Sequence, residues 1–158
     1  DAILDRRASV HAYQVCVSSC ANYLFLPAHT RHVMADSVVL FHGGIVPRMK
    51  KLPDVTAEGR QRLQRNIERQ DAFLRRASIY PQLFEWMDRL NRPNLIVMRH
   101  CPTDRKITLM QLSDAVLAGI GAPVSSNEGP QSQEAVDALV ARYGPAMAVC
   151  YWDHPVKL

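Results

Sequence analysis

The chain has 158 residues, of which 47% are hydrophobic, and a formal net charge of +4. A chain of this length builds one hydrophobic core and is too short for two, so we expect a single domain over residues 1–158. The apolar runs are too short to span a bilayer, which argues against a transmembrane segment. The mild positive charge comes without a recognisable binding module, which argues against nucleic acid as a partner.

Two apolar segments near the start of the chain each end in a residue type that serves hydrolytic chemistry. Residues 13–17 are typical of a strand that breaks at Ser18 and Ser19 and continues as an apolar helix, and residues 38–41 are typical of a buried strand that ends at His42. A strand-to-helix turn exposes a hydroxyl, and the start of a helix offers free N–H groups to an oxyanion. The pattern therefore indicates a serine hydrolase site. The alternative interpretation is that both serines only cap the helix and that His42 bonds to backbone.

These segments, in this order, resemble the Clp protease proteolytic subunit and its relatives in the Clp/crotonase superfamily. The likeness is greatest to poorly characterised members with periplasmic features, in which cysteines flank the serine and His-Gly follows the second strand. The resemblance implies an α/β spiral of mostly parallel strands with helices and a projecting handle helix. It places the strands that end at Val17, His42 and Met98 in one sheet. It also implies a fragment, because the family's first strands and its Gly-Gly oxyanion loop are expected before Asp1.

The resemblance also assigns roles to particular residues. Ser19 is the expected nucleophile, with Ser18 as the alternative, and the backbone N–H of Cys20 is the expected oxyanion donor. His42 is the expected base and then acid, and Asp104 is expected to orient it. The alternative for Asp104 is a turn aspartate beside a basic neighbour. Neither a metal nor a cofactor is expected.

These roles imply a serine peptidase that acts on peptide or protein substrates. A non-catalytic assembly or interaction protein on the same fold is the alternative, and the absent Gly-Gly loop favours it for this fragment. A crotonase-like acyl-CoA enzyme is disfavoured because such enzymes use backbone N–H groups and carboxylates rather than a serine–histidine pair. A cysteine nucleophile, Cys20 with His42, is a further alternative.

The four cysteines bear on the cellular compartment of the protein, but the sequence does not fix which of them form disulfides with each other. Cys16, Cys20, Cys101 and Cys150 allow three disulfide pairings, and the sequence does not choose among them. A structural zinc site is an alternative, although only the first two form a closely spaced pair, and the histidines other than His42 lack metal-ligand spacing. The resemblance indicates a periplasmic or otherwise exported bacterial protein, with a cytoplasmic one as the alternative.

The middle of the chain is expected to form the handle helices, over residues 56–91. A helix is predicted from Ala57 to Ala77, capped by Asp54 or Thr56, with an apolar stripe opposite arginine-rich faces. The stripe comprises Leu63, Ile67, Leu74 and Ala77, with Gln70 in its middle. The resemblance implies that copies associate through this helix as a homo-oligomer. The alternative is an amphipathic helix that packs on its own core.

A second short helix, from Tyr80 to Leu90, is so apolar that we expect a partner to cover part of it. The later elements predicted are a strand over 95–98, a helix over 109–118, a helix over 132–142 and a strand over 146–152. The sequence indicates no function for residues 123–158.

Overall fold

The computed structural model of the chain describes residues 2–43, 56–80, 82–90, 101, 109–144 and 148–156. The strands in these ranges are β1 (Ser9–Ala12), β2 (Val15–Val17), β3 (Thr30–Val33), β4 (Val38–Phe41), β5 (Leu109–Leu112), β6 (Ser126–Asn127) and β7 (Val149–Trp152). The helices are α1 (Ala2–Asp5), a π-helix (Ala21–Phe25), α2 (Ala57–Arg76), α3 (Leu83–Leu90), α4 (Asp114–Gly119) and α5 (Gln133–Tyr143). Within the described ranges, none of these helices combines the length and apolar character needed to cross a membrane.

The strands form two sheets, which confirms the α/β class. The first sheet has the order β1-β3-β6 and is parallel throughout. The second has the order β2-β4-β5-β7, in which β2 and β4 are parallel, β5 and β7 are parallel, and β4 meets β5 in an antiparallel pair. The strands before Ser18 and His42 therefore lie side by side in one sheet, as predicted. The strand predicted over 95–98 lies outside the described residues.

The segments β1–β2 and β3–β4 are two successive passes of the chain that lie against each other, and this arrangement positions the site. The link between β1 and β2 contains Gln14, and the link between β3 and β4 contains Asp36. Both residues have a φ angle of +54°. β1 pairs with β3 and β2 with β4, so the second pass repeats the first. The backbone N–H of Val38 donates to the Gln14 carbonyl at 2.7 Å and fixes the register. Because β2 and β4 are parallel, the residues that follow them emerge at the same sheet edge.

Strand β4 is buried on both faces because its neighbours cover both. Alternate side chains of a strand point to opposite faces. Val38 and Leu40 pack with apolar residues of α5, and Val39 and Phe41 belong to the main core. The continuous apolar run at 38–41 is therefore the signature of a central strand, as the sequence indicated.

The helix predicted over 109–118 is wrong in its first four residues, which form β5. The Ser113 side chain accepts a hydrogen bond from the Val116 N–H at 3.4 Å and caps α4, so the helix begins only at Asp114. The apolar run before the cap is extended and lies between β4 and β7. A capping serine thus ends one element and starts the next inside what looked like a single apolar segment.

Helix α2 matches the predicted bounds to within a residue, and Thr56 rather than Asp54 caps it. The Thr56 hydroxyl accepts from the Gly59 N–H at 3.1 Å. The C-terminal half of the helix packs on the chain's own core, where Gln70 and Leu74 are buried. Gln70 accepts a hydrogen bond from the Tyr23 hydroxyl at 2.9 Å, and burial raises the pKa of Tyr23, which favours its protonated, donating form. The helix therefore does not project clear of the domain along its whole length.

Helix α3 corrects the expectation that a partner covers its apolar face. Among the side chains of this helix that the structure describes, residues 83–87, the buried ones belong to the main core of this same chain and are Leu83, Phe84, Trp86 and Met87. Trp86 meets Trp152 of β7 edge to face, with ring centroids 5.7 Å apart. The C-terminal strand, for which the sequence indicated no role, thus packs on Trp86, part of the face that a partner was expected to cover in part.

Candidate active site

Ser18 occupies a sharp turn between β2 and the helical segment that follows. Its φ angle is +61°, in the left-handed region, which costs a non-glycine residue about 1–3 kcal/mol. Its N–H donates to the Leu40 carbonyl at 3.2 Å, and its own carbonyl accepts from the Asn22 N–H at 2.8 Å. A strained serine between a strand and a helix is the arrangement by which nucleophile elbows expose a reactive hydroxyl.

His42 lies directly after β4 and contacts Ser18 across the sheet edge. The Nε2 atom of His42 is 2.8 Å from the Ser18 Oγ. The Nδ1 atom is in hydrogen-bond contact with the Gly43 carbonyl oxygen. Because a carbonyl can only accept, this contact places the proton on Nδ1 and leaves Nε2 to accept from the Ser18 hydroxyl. The tautomer is therefore the one that a general base for Ser18 requires.

The hydrogen bond to His42 is made by Ser18, the alternative nucleophile, rather than by Ser19, the first choice. Ser19 lies in the first helical turn with an exposed side chain. Successive residues of a helix point in directions about 100° apart, so adjacent serines at a turn cannot both face the same partner. The geometry favours Ser18 because it is the last residue of the turn, where the strained backbone orients its hydroxyl. Asp104 lies outside the described residues, so the described site is a serine–histidine pair.

Asn22 holds both members of the pair and was missed in the sequence. The residue is 1% exposed; its backbone N–H donates to the Ser18 carbonyl, and its side-chain Nδ2 donates to the His42 carbonyl at 3.2 Å. Its Oδ1 is buried without a hydrogen-bond partner in the described part of the chain, which costs about 1–3 kcal/mol. The available signal was one asparagine inside the apolar run after the serines.

Two disulfides resolve the pairing that the sequence left open. Cys16 bonds to Cys20, with 5.2 Å between their Cα atoms, and Cys101 bonds to Cys150 of β7, with 5.5 Å between theirs. Cys20 therefore has no free thiol in this state, and the alternative of a Cys20 nucleophile does not hold. The interpretation of the four cysteines as zinc ligands fails for the same reason.

Two further serine–histidine contacts lie on the first sheet and differ from the site. Ser9 and His11 are 3.3 Å apart between Oγ and Nε2, and Ser126 and His32 are 2.8 Å apart between Oγ and Nδ1. Both contacts are exposed, and each serine lies within a strand rather than at a strand-to-helix turn. Neither serine has helix N–H groups directly after it, so these contacts lack the means to stabilise an oxyanion.

No relative of known function supports the assignment of the Ser18–His42 pair. A search of protein-family models, of curated proteins and of solved structures found no match to this chain.

Proposed function

We propose that the protein is a serine hydrolase, a peptidase of the Clp/crotonase type, in which Ser18 is the nucleophile and His42 is the base. The observation that carries the proposal is the 2.8 Å contact between the Ser18 Oγ and the His42 Nε2 at the ends of adjacent parallel strands. The left-handed turn at Ser18 and the Gly43 contact to Nδ1 support it, because they orient the two reacting groups.

The proposed reaction is acyl transfer in two stages. The Ser18 Oγ attacks the substrate carbonyl carbon while the His42 Nε2 takes the hydroxyl proton. The tetrahedral intermediate collapses, His42 gives the proton to the departing amine, and an acyl-serine remains. Water, deprotonated by His42, then attacks the acyl group and releases the carboxylic acid and free Ser18.

The N–H of Ser19 is the proposed oxyanion donor. The first N–H groups of a helix have no partner within the helix, and Ser19 directly follows the nucleophile. The expected donor moves from Cys20 to Ser19 because the nucleophile moves from Ser19 to Ser18. Asp104 stays a candidate for orienting His42. In the described structure, the Gly43 carbonyl contacts the His42 Nδ1, the atom that an orienting carboxylate would bind.

The setting of the protein follows from the same proposal. Two disulfides support an oxidising, exported location, where such bonds persist. Leu63 and Ile67 of α2 are only partly buried in the single chain, which supports self-association through the N-terminal half of this helix. Peptides or proteins are the proposed substrates.

Covalent labelling with a fluorophosphonate tests the proposed function. The purified protein is treated with the probe, digested and mapped by mass spectrometry, and we expect one adduct, on Ser18. Ser9 and Ser126, which also contact histidines, are internal controls that we expect to stay unmodified. A folded protein without any adduct would contradict the proposal and favour a non-catalytic interaction protein on the same fold.

Replacing Asn22 tests whether one side chain positions the pair. Leucine has the same branched arrangement of heavy atoms as asparagine but cannot donate to the His42 carbonyl, so Asn22→Leu is expected to slow labelling of Ser18 by about 10–100-fold. The unfolding free energy is expected to fall by about 1–3 kcal/mol, because leucine is bulkier than asparagine at this buried position, although removal of the orphaned Oδ1 offsets part of that cost. Asn66→Leu on α2 is the matched control and should label at the normal rate. Normal labelling of Asn22→Leu would show that Asn22 has no positioning role.

A further inference from the structure

The Cys16–Cys20 disulfide encloses the proposed nucleophile. Cys16 lies in β2 and Cys20 in the helical turn after it, so the bond closes a loop of five residues with Ser18 at its centre. The other disulfide joins Cys101 to β7, and neither of its cysteines contributes to the turn. The two bridges in this chain therefore have different relations to the site.

The bridge fixes a backbone conformation that is unfavourable for serine. Ser18 has a φ angle of +61°, and strained residues persist where the surroundings over-determine them. The surroundings here are the bridge and two backbone hydrogen bonds, from the Ser18 N–H to Leu40 and from the Asn22 N–H to the Ser18 carbonyl. Breaking the bridge would let the turn relax to an unstrained φ angle, and the hydroxyl would then move away from the His42 Nε2.

The two cysteines differ in their exposure to solvent. Cys16 is 2% exposed, whereas Cys20 is only partly buried. A thiolate has to reach a sulfur atom to exchange with a disulfide, so Cys20 is the point of attack and Cys16 the leaving group. Because the more exposed cysteine lies outside β2, attack at Cys20 does not require unfolding of the strand that holds Cys16.

We propose that the Cys16–Cys20 disulfide is a redox switch for the serine site. The inference rests on the proposed function and names its regulation. The oxidised protein holds Ser18 against His42 and is reactive, and a dithiol reductant converts it to a slow form. This gives the enzyme full activity in an oxidising compartment and little activity where dithiols keep cysteines reduced.

The exchange is balanced by the reductant's two thiols. One thiolate of the reductant attacks the Cys20 sulfur, forms a mixed disulfide and releases the Cys16 thiolate, which takes up a proton. The second thiol of the reductant, as its thiolate, then attacks the reductant's other sulfur, which is bonded to Cys20 in the mixed disulfide. This releases the Cys20 thiolate, which takes up a proton. The two protein sulfurs are reduced by two electrons, and the reductant is oxidised to its disulfide.

The test uses a variant that retains only the bridge around Ser18. In Cys101→Ala/Cys150→Ala, dithiothreitol can reduce only Cys16–Cys20, and alkylation with mass spectrometry measures the reduced fraction. We expect fluorophosphonate labelling of Ser18 to slow by about 10–100-fold on reduction and to recover on reoxidation, with the circular dichroism spectrum unchanged. Cys16→Ala/Cys20→Ala, with the other bridge intact, should label at the slow rate with or without dithiothreitol.

The outcomes separate the redox proposal from the proposed function. Equal labelling rates in the oxidised and the fully reduced variant would overturn the redox switch and leave the serine hydrolase proposal standing. Absence of labelling in both states would overturn the proposed function and the redox switch with it. If Cys16→Ala/Cys20→Ala does not fold, the reversible reduction of the other variant still decides between these outcomes.

Discussion

Ser18→Ala is expected to lower the rate of hydrolysis of an activated ester or a peptide substrate by about 10³-fold or more, whereas Ser19→Ala keeps the rate within about threefold. The two serines are neighbours with the same side chain, so the pair is a matched comparison. Only Ser18 contacts the His42 Nε2, at 2.8 Å, and Ser19 contributes a backbone N–H that alanine retains. The measurement is the initial rate with each variant at the same folded concentration.

His42→Ala is expected to cause a loss similar to that of Ser18→Ala, because a serine hydroxyl without its base is a weak nucleophile. The double variant Ser18→Ala/His42→Ala should be no slower than either single one, since residues that act as a unit are not additive. His32→Ala, at an exposed serine–histidine contact of the first sheet, is the control and should retain the rate. A large loss in Ser19→Ala with a normal rate in Ser18→Ala would reverse the assignment of the nucleophile.

Arg31→Met is expected to lower the unfolding free energy by about 3 kcal/mol, the largest stability effect that we predict for one polar side chain. The guanidinium of Arg31 is buried. Its Nε donates to the carbonyls of Phe25 at 3.1 Å and Leu26 at 2.9 Å, its Nη1 donates to the Pro123 carbonyl at 3.1 Å, and its Nη2 also donates to the Leu26 carbonyl. Burial lowers the pKa of Arg31, and these hydrogen bonds offset the cost of burying the charge. Methionine fills a similar volume but removes the donors to the Leu26 carbonyl and leaves the Phe25 carbonyl with only the Ala28 N–H, at 3.2 Å.

Chemical denaturation measures this effect, and the melting temperature should fall by about 6–12 °C for a domain of this size. Arg142→Met is the matched control, because Arg142 contacts Asp36 at 3.1 Å on the surface, where ion pairs contribute little. We expect the control to change the unfolding free energy by less than about 1 kcal/mol. Equal effects of the two substitutions would show that the buried hydrogen bonds of Arg31 do not hold the π-helix in place.

Strand β3 shows why part of the first sheet escaped the sequence analysis. Its residues, Thr-Arg-His-Val, contain one apolar side chain, and Arg31 is among its buried positions. An arginine is buried only when other elements supply acceptors, and these come from the π-helix and from Pro123, far along the chain. The alternation of burial in this strand is thus a product of the tertiary structure.

The sequence by itself determined those features whose causes are local. The apolar run of β4, the long amphipathic helix α2 with a cap at Asp54 or Thr56, and the placement of a serine and a histidine at strand ends all follow from neighbouring residues. Such patterns depend on side-chain periodicity and capping, which act within a few residues. They were sufficient to predict strands followed by helices and the two residue types of the Ser18–His42 pair, whereas the α/β class was an implication of the family resemblance.

Only the tertiary structure decided which serine meets the histidine. That choice depends on the φ angle of Ser18, on the pairing of β2 with β4, and on Asn22, which bonds to both backbones. The edge-to-face contact of Trp86 in α3 likewise depends on Trp152, more than sixty residues later in the chain. Contacts between residues distant in sequence leave no periodic pattern in either segment, because each segment shows only half of the interaction.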